Sequence, residues 1–311
     1  MKLRRGAAHW LKPPSARRAG RLLLPGLLLL VAAAPLAAFK GCSTAPPLQN
    51  APPLVEHLDA LGDPGADIVQ LNTRPGVRQG FLLLRAARPK ASLILFVGGQ
   101  GELGLERADR VQRLERPKAN FLVRICMDLV RRGFTVALVD TPSDQPSLAR
   151  FRTSALHAQD IQGVSAYLRS VAPVPVWAVG TSRGTISAAN AAARLGSPDV
   201  SGLVLTSIIT RQSGRGDSSV YNTDLSAIRV PTLLVGHVDD GCPVSPPGGM
   251  EMLARSLPHA PVVEMRTFQG GKPPVTGECE PGSPHGYWGI EPQVVDAISA
   301  WILAHLPAGT G

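Results

Sequence analysis

Charge, cysteine and acid near the start are all scarce in this 311-residue chain. Charged residues make up 18% against 44% hydrophobic, so the sequence can bury a sizeable core. Residues 1–40 contain eight basic side chains and no Asp or Glu. Removing those eight from the net charge of +9 leaves +1 for the remainder. The sequence pI of 9.9 is therefore mostly a property of the leader and gives no support to a nucleic-acid-binding surface. Only four cysteines occur, Cys42, Cys126, Cys242 and Cys279, and no paired Cys/His spacing appears, so no metal site is expected. The glycine run at Gly98–Gly101 has no Lys-Ser/Thr after it and no G-x-G-x-x-G pattern, which argues against a phosphate or dinucleotide loop. No internal repeat is visible.

What is present begins with a leader. Residues 1–21 are basic and polar, and Leu22–Phe39 is apolar throughout. A positive segment followed by an apolar one reads as an export signal. A retained membrane anchor is the alternative, disfavoured by Pro25 and Pro35. Arg17-Arg18 allows twin-arginine export, and Cys42 occupies a place suited to lipidation, although Lys40 departs from that pattern. Residues 1–41 are thus expected to be signal or anchor, 42–60 a Pro-rich tether, and 61–311 one folded domain. The expected location is exported: periplasmic, secreted or envelope-anchored.

After the tether, residues 66–72 and 79–85 alternate around Pro75-Gly76 and predict a hairpin. Continuous apolar runs at 91–97, 134–139, 176–179, 200–208, 230–236 and 261–268 predict buried strands. Helical periodicity predicts helices over 119–132, 154–171, 185–195 and 291–305. Strand and helix alternate, which makes a mostly parallel sheet with helices on both faces.

The most informative stretch is Pro175–Ser187, PVWAVGTSRGTIS. It reads as strand, sharp turn and helix with Ser182 at the apex. A Cβ at Gly180 or Gly184 would collide with a neighbouring strand or helix. This G-x-S-x-G elbow resembles that of the α/β-hydrolases, and the order of elements over about residues 61–308 is similar to that fold. The resemblance, to an exported serine esterase, a dienelactone-hydrolase-like or a peptidase-like member, implies a central sheet of about eight strands. It also implies that the nucleophile follows the fifth strand, an acid the seventh and a histidine the eighth.

Each place has a candidate. After strand 230–236 come Asp239 and Asp240. Counting from Pro231 in a pattern resembling P-T-L-L-V-H-G-x-x-D selects Asp240, and Asp239 remains the alternate. Of seven histidines, His285 follows the last strand in a turn and precedes the final helix. His157, on a helix with Asp160 near its face, reads as half of a surface pair. The oxyanion donors implied are the backbone N–H of Arg183 and that of Gly99, with Gln100 as the alternate. Arginines at 107, 110, 113, 116, 150, 152 and 183 read as solvated loop charge, with recognition of an anionic substrate the alternative. Only about twenty residues, 210–229, separate two strands where lipases of this family carry a lid, which leaves room for a loop.

Cys126 reads as a buried thiol on helix 119–132. Cys242 and Cys279 lie in the acid and histidine loops, so a disulfide between them is expected in an oxidising compartment. The activity implied is hydrolysis of a small-molecule or lipid-like carboxylic ester through an acyl-enzyme, without a cofactor. The same three residues also suit a peptidase, amidase or acyltransferase, and a non-catalytic envelope binding protein is the rival of another class. Membrane contact is expected only through the N-terminal segment.

Overall fold

A strand with apolar side chains on both faces needs cover on both faces, and the central runs of this chain are of that kind. The structure, a computed structural model, describes residues 53–57, 66–105, 120–212 and 218–307. All of these belong to one unit, Pro46–Gly311. The leader, Cys42, most of the tether and Arg107, Arg110, Arg113 and Arg116 lie outside the described residues.

Nine strands form one sheet: β1 (Leu54–His57), β2 (Ala66–Arg74), β3 (Val77–Leu84), β4 (Ala91–Phe96), β5 (Phe134–Pro142), β6 (Val176–Thr181), β7 (Gly202–Thr206), β8 (Thr232–His237) and β9 (Val263–Phe268). Their spatial order is β1-β2-β3-β5-β4-β6-β7-β8-β9. The first three strands and the β3–β5 pair are antiparallel, and every pair from β5 to β9 is parallel. Five described helices flank the sheet: α1 (Phe121–Arg131), α2 (Ala155–Val171), α3 (Gly184–Leu195), α4 (Gly249–Arg255) and α5 (Glu291–Ala304).

Successive residues of the central strands face opposite layers. Leu93, Leu95, Trp177 and Val179 pack with Phe121, Ile125 and Leu129 of α1 and with Val294, Ile298 and Ile302 of α5. Ile94, Phe96, Val176 and Ala178 pack with Ile161, Val164 and Leu168 of α2 and with Ile186, Ala188 and Ala192 of α3. Each such aliphatic side chain stabilises the fold by about 2 kcal/mol on full burial. Asn120 and Ser154 cap α1 and α2, accepting from the N–H of Leu122 at 3.1 Å and of His157 at 3.0 Å.

Four features differ from the sequence reading, the first being Arg152, which is buried and not a solvated loop charge. Strand β1 falls inside the stretch read as tether and pairs antiparallel with β2, so the described sheet has nine strands where about eight were expected. Four residues beside prolines carry too little pattern to announce a strand, and their partner supplies the order. Helix α4 was not expected because it has seven residues and directly follows Pro246-Pro247-Gly248. His157 is no surface residue: it is wholly buried, while Asp160 instead accepts from Arg74 Nε at 2.8 Å. Cys126 is half-buried, its thiol donating to the carbonyl of Val123 at 3.1 Å, and burial pushes its pKa up to about 11.

The order of strands decides which loops meet. Strands β4 and β6 are neighbours at the centre, so the turns after Phe96 and Thr181 emerge side by side. The parallel run β6-β7-β8-β9 delivers the residues after each strand to that same carboxyl end, where ligands bind in open α/β sheets.

Candidate active site

Ser182 sits between β6 and α3 with φ of 53°, one of four non-glycine residues with positive φ among those described. Such a backbone is strained for a side chain with a Cβ, and it persists only where the surroundings enforce it. They do so here. The N–H of Ser182 donates to Thr206 O at 3.0 Å, and its carbonyl accepts from the N–H and hydroxyl of Thr185 at 3.0 and 2.6 Å. A Cβ on Gly184 would lie 1.9 Å from the carbonyl oxygen of Phe96, and one on Gly180 would lie 2.5 Å from that of Gly184. The tight strand-to-helix approach therefore requires both glycines.

The two aspartates after β8 have different surroundings. Asp240 is buried, accepts from the N–H of Cys242 at 3.0 Å and from the Ser245 hydroxyl at 3.1 Å, and meets His285 Nδ1 at 2.9 and 3.2 Å. Asp239 has a side chain 62% exposed, and its carboxylate lies 3.9 Å from His237 Nδ1. His237 is itself accounted for. Its Nδ1 accepts from the N–H of Asp239 at 3.1 Å, and its Nε2 is 2.9 Å from the carbonyl of Gly270. A carbonyl only accepts, so His237 is neutral with its proton on Nε2.

The same bookkeeping fixes His285. A carboxylate accepts only, so Nδ1 carries a proton, and in the neutral imidazole the lone pair is then on Nε2. His285 Nε2 is buried and has no hydrogen-bond partner among the described residues. The backbone around it is clamped. Ser207, after β7, donates its hydroxyl to the His285 carbonyl at 2.6 Å. Tyr287 donates its hydroxyl to Val235 O at 3.0 Å and accepts from the N–H of Ser207 at 3.1 Å, and burial pushes its pKa up. Arg124 of α1 donates to the carbonyls of Gly286 and Pro281 at 2.6 and 3.2 Å and pairs with Glu291 at 2.8 Å. Ser207 and Tyr287, like Ser182, have positive φ, 46° and 54°.

A disulfide joins Cys242 to Cys279, with Cα atoms 4.6 Å apart. It ties the loop of Asp240 to the segment leading into His285. Ser182, His285, Gly99, Gln100, Asn120 and Phe121 line one cavity of about 360 Å3. Residues Gly98–Gly101 form a turn closed by a 3.1 Å hydrogen bond from Gly101 N–H to Gly98 O, with Gly99 at φ of 59°. Arg183 precedes α3 with helical backbone, φ −58° and ψ −23°. Ser182, Asp240 and His285 thus converge with the turn of Gly99, while Asp239 and His157 lie apart. Among the described residues, no cluster of three or more His, Cys, Asp or Glu could hold a metal ion.

The sheet order, the elbow and the chain order Ser182, Asp240, His285 invite comparison with known proteins. No protein family's profile matches this chain, and neither does any curated protein. Solved structures do. An esterase from Pyrococcus furiosus superposes with a TM-score of 0.57 at 11% identity, covering 83% of this chain and 98% of that one. Dienelactone hydrolase from Anabaena variabilis gives 0.52 at 16% identity, covering 82% and 99%. A cold-adapted esterase from an Arctic intertidal metagenomic library gives 0.51 at 13%, covering 81% and 97%. The chain has the α/β-hydrolase fold. With the edge strand β1 set aside, β6, β8 and β9 are its fifth, seventh and eighth strands, the places expected for nucleophile, acid and base.

Sequence reasoning missed Ser207, Tyr287 and Arg124. Tyr287 lies two residues from His285, and Ser207 ends an apolar strand, but neither carries a sequence signal of its own. Contacts from distant parts of the chain define them.

Proposed function

We propose that this protein is a serine hydrolase that cleaves carboxylic esters through an acyl-enzyme. One observation carries the reading: the buried Asp240–His285 pair leaves an unpartnered Nε2 on the cavity that also holds the strained Ser182. In this reading Nε2 takes the proton of Ser182 as its Oγ attacks the ester carbonyl. Asp240 keeps the imidazole in the Nδ1–H tautomer and stabilises the imidazolium. The N–H groups of Gly99 and Arg183 receive the oxyanion, with Gln100 the alternate to Gly99. The imidazolium returns its proton to the leaving alcohol, and water repeats the attack with the same base to release the acid.

Ester cleavage is chosen over amide cleavage because several solved structures of similar fold are named as esterases. The disulfide is compatible with export to an oxidising compartment. Among the described residues, no helix is long and apolar enough to cross a membrane. Steady-state hydrolysis of short p-nitrophenyl esters, run beside aminoacyl amides, tests the reading. Turnover of the esters that disappears in Ser182→Ala supports it, and equal turnover by Ser182→Ala sinks it.

A further inference from the structure

Arg152 stands in the loop between β5 and α2. It is buried, only 4% exposed, and no carboxylate pairs with it among the described residues. A buried guanidinium without a counter-ion is expensive, so its surroundings must return the stabilisation in hydrogen bonds. Its acceptors are specific. Nη1 donates to Ser187 Oγ at 2.8 Å, and Nη2 donates to Val97 O at 3.3 Å and Gly99 O at 3.2 Å. Val97 and Gly99 belong to the strand end and turn after β4, and Ser187 lies in the second turn of α3. The guanidinium therefore bridges the two backbone segments that carry Gly99 and Arg183. Burial, with Arg183 nearby, lowers its pKa to about 9.

We propose that Arg152 is a positioning residue that fixes the 97–99 backbone against helix α3 and so sets the spacing of the two oxyanion donors. The inference rests on the serine-hydrolase reading. A planar fork is suited to this task. Two of its nitrogens reach acceptors on different elements at once, which the single ammonium of a lysine does at the expense of geometry. Nη2 holds the Val97 and Gly99 carbonyls, so it fixes the two peptides on either side of the Gly98–Gly99 peptide that carries the Gly99 N–H, and the second of them carries the Gln100 N–H, the alternate donor. Oxyanion stabilisation depends on such preorganisation, because donors displaced from the developing charge lose most of their effect.

The test is steady-state kinetics on Arg152→Met, Arg152→Lys and Ser187→Ala in the full chain, each checked for folding by near-UV circular dichroism. Arg152→Met should lower kcat on the order of 10²-fold, with KM changed less than about threefold, since only transition-state contacts are lost. Affinity for a trifluoromethyl ketone, whose hemiketal oxyanion occupies the same donors, should fall in parallel with kcat. Arg152→Lys should recover part of the loss, and guanidinium ion added to Arg152→Ala should restore turnover. A folded Arg152→Met with kcat within about twofold of wild type, or a loss confined to KM, overturns the proposal. If that variant does not fold, Ser187→Ala decides: kcat lowered roughly threefold to tenfold supports the bridge, and unchanged kcat overturns it. Wild-type protein that itself turns over no ester sinks the hydrolase reading, whereas an active wild type with fully active variants sinks only the role of Arg152.

Discussion

His157 should make this protein acid-labile, and its share of that lability can be isolated. The imidazole is fully buried beside the rings of Phe96 and Phe151, at 6.0 and 5.6 Å between centroids, and neither ring nitrogen has a partner among the described residues. Desolvation, then the cations Arg152 and Arg74, lower its pKa from 6.5 to about 3. The folded value lies below the unfolded one, so the fold holds the neutral form and the unfolded chain binds the proton first. The stability is complete above the unfolded value and is lost as pH falls, with the loss complete below the folded value. At about pH 5 the unfolded imidazole is almost fully charged and the folded one is not, a difference of about 2 kcal/mol relative to about pH 7.5. The assay is urea unfolding at both pH values for wild type and His157→Phe, with His157→Leu as a second variant. The variants should lose about 2 kcal/mol less than wild type on acidification. If wild type and both variants lose the same amount, the imidazole is not held neutral and the reasoning about this pocket fails.

Other substitutions separate the parts of the site. Asp240→Asn should lower kcat by roughly 10³ to 10⁴ while leaving the fold intact, and Asp239→Asn should stay within about twofold; the reverse pattern in a p-nitrophenyl ester assay would reassign the acid. Replacing Cys242 and Cys279 together by serine opens a loop with a sequence separation of 37. In the chain-entropy picture this destabilises the fold by about 4 kcal/mol, readable as a lowered urea midpoint. Gly184→Ala places a Cβ 1.9 Å from the Phe96 carbonyl, so it should abolish turnover and lower the thermal midpoint; an active, stable variant would mean that the elbow is looser than described.

Much of the fold, and the residues that the candidate site brings together, were legible in the chain because the signals are local. The apolar run 91–97 ends at Gly98 and the run 134–139 begins after Gly133, and both become central strands. The elbow can be read because a strained turn needs small residues at fixed offsets around Ser182. Asp240 and Asp239 are adjacent, and sequence alone could favour one only by counting register from Pro231. What separates them physically is burial: Asp240 is turned in against Ser245 and His285, and Asp239 faces out. Ser207 went unread, and Arg152, read as solvated loop charge, is instead buried; both act across long separations. Arg152 reaches Val97 and Ser187, and Ser207 reaches His285, through a sheet order that no short window contains. His157 was misread for a similar reason. A polar residue near an aspartate one turn away looks like a surface pair, and only the packing of α2 against Phe96 shows that it points inward. Strand β1 escaped because its order comes from β2 and not from its own four residues.

The central claim is that Ser182 is the nucleophile, activated by His285. Incubation with a fluorophosphonate and subsequent peptide mapping test it most directly. The account requires one covalent adduct on the peptide that contains Ser182, absent in Ser182→Ala and much slower to form in His285→Ala. A folded protein that takes no label, or one that Ser182→Ala labels equally, would contradict it.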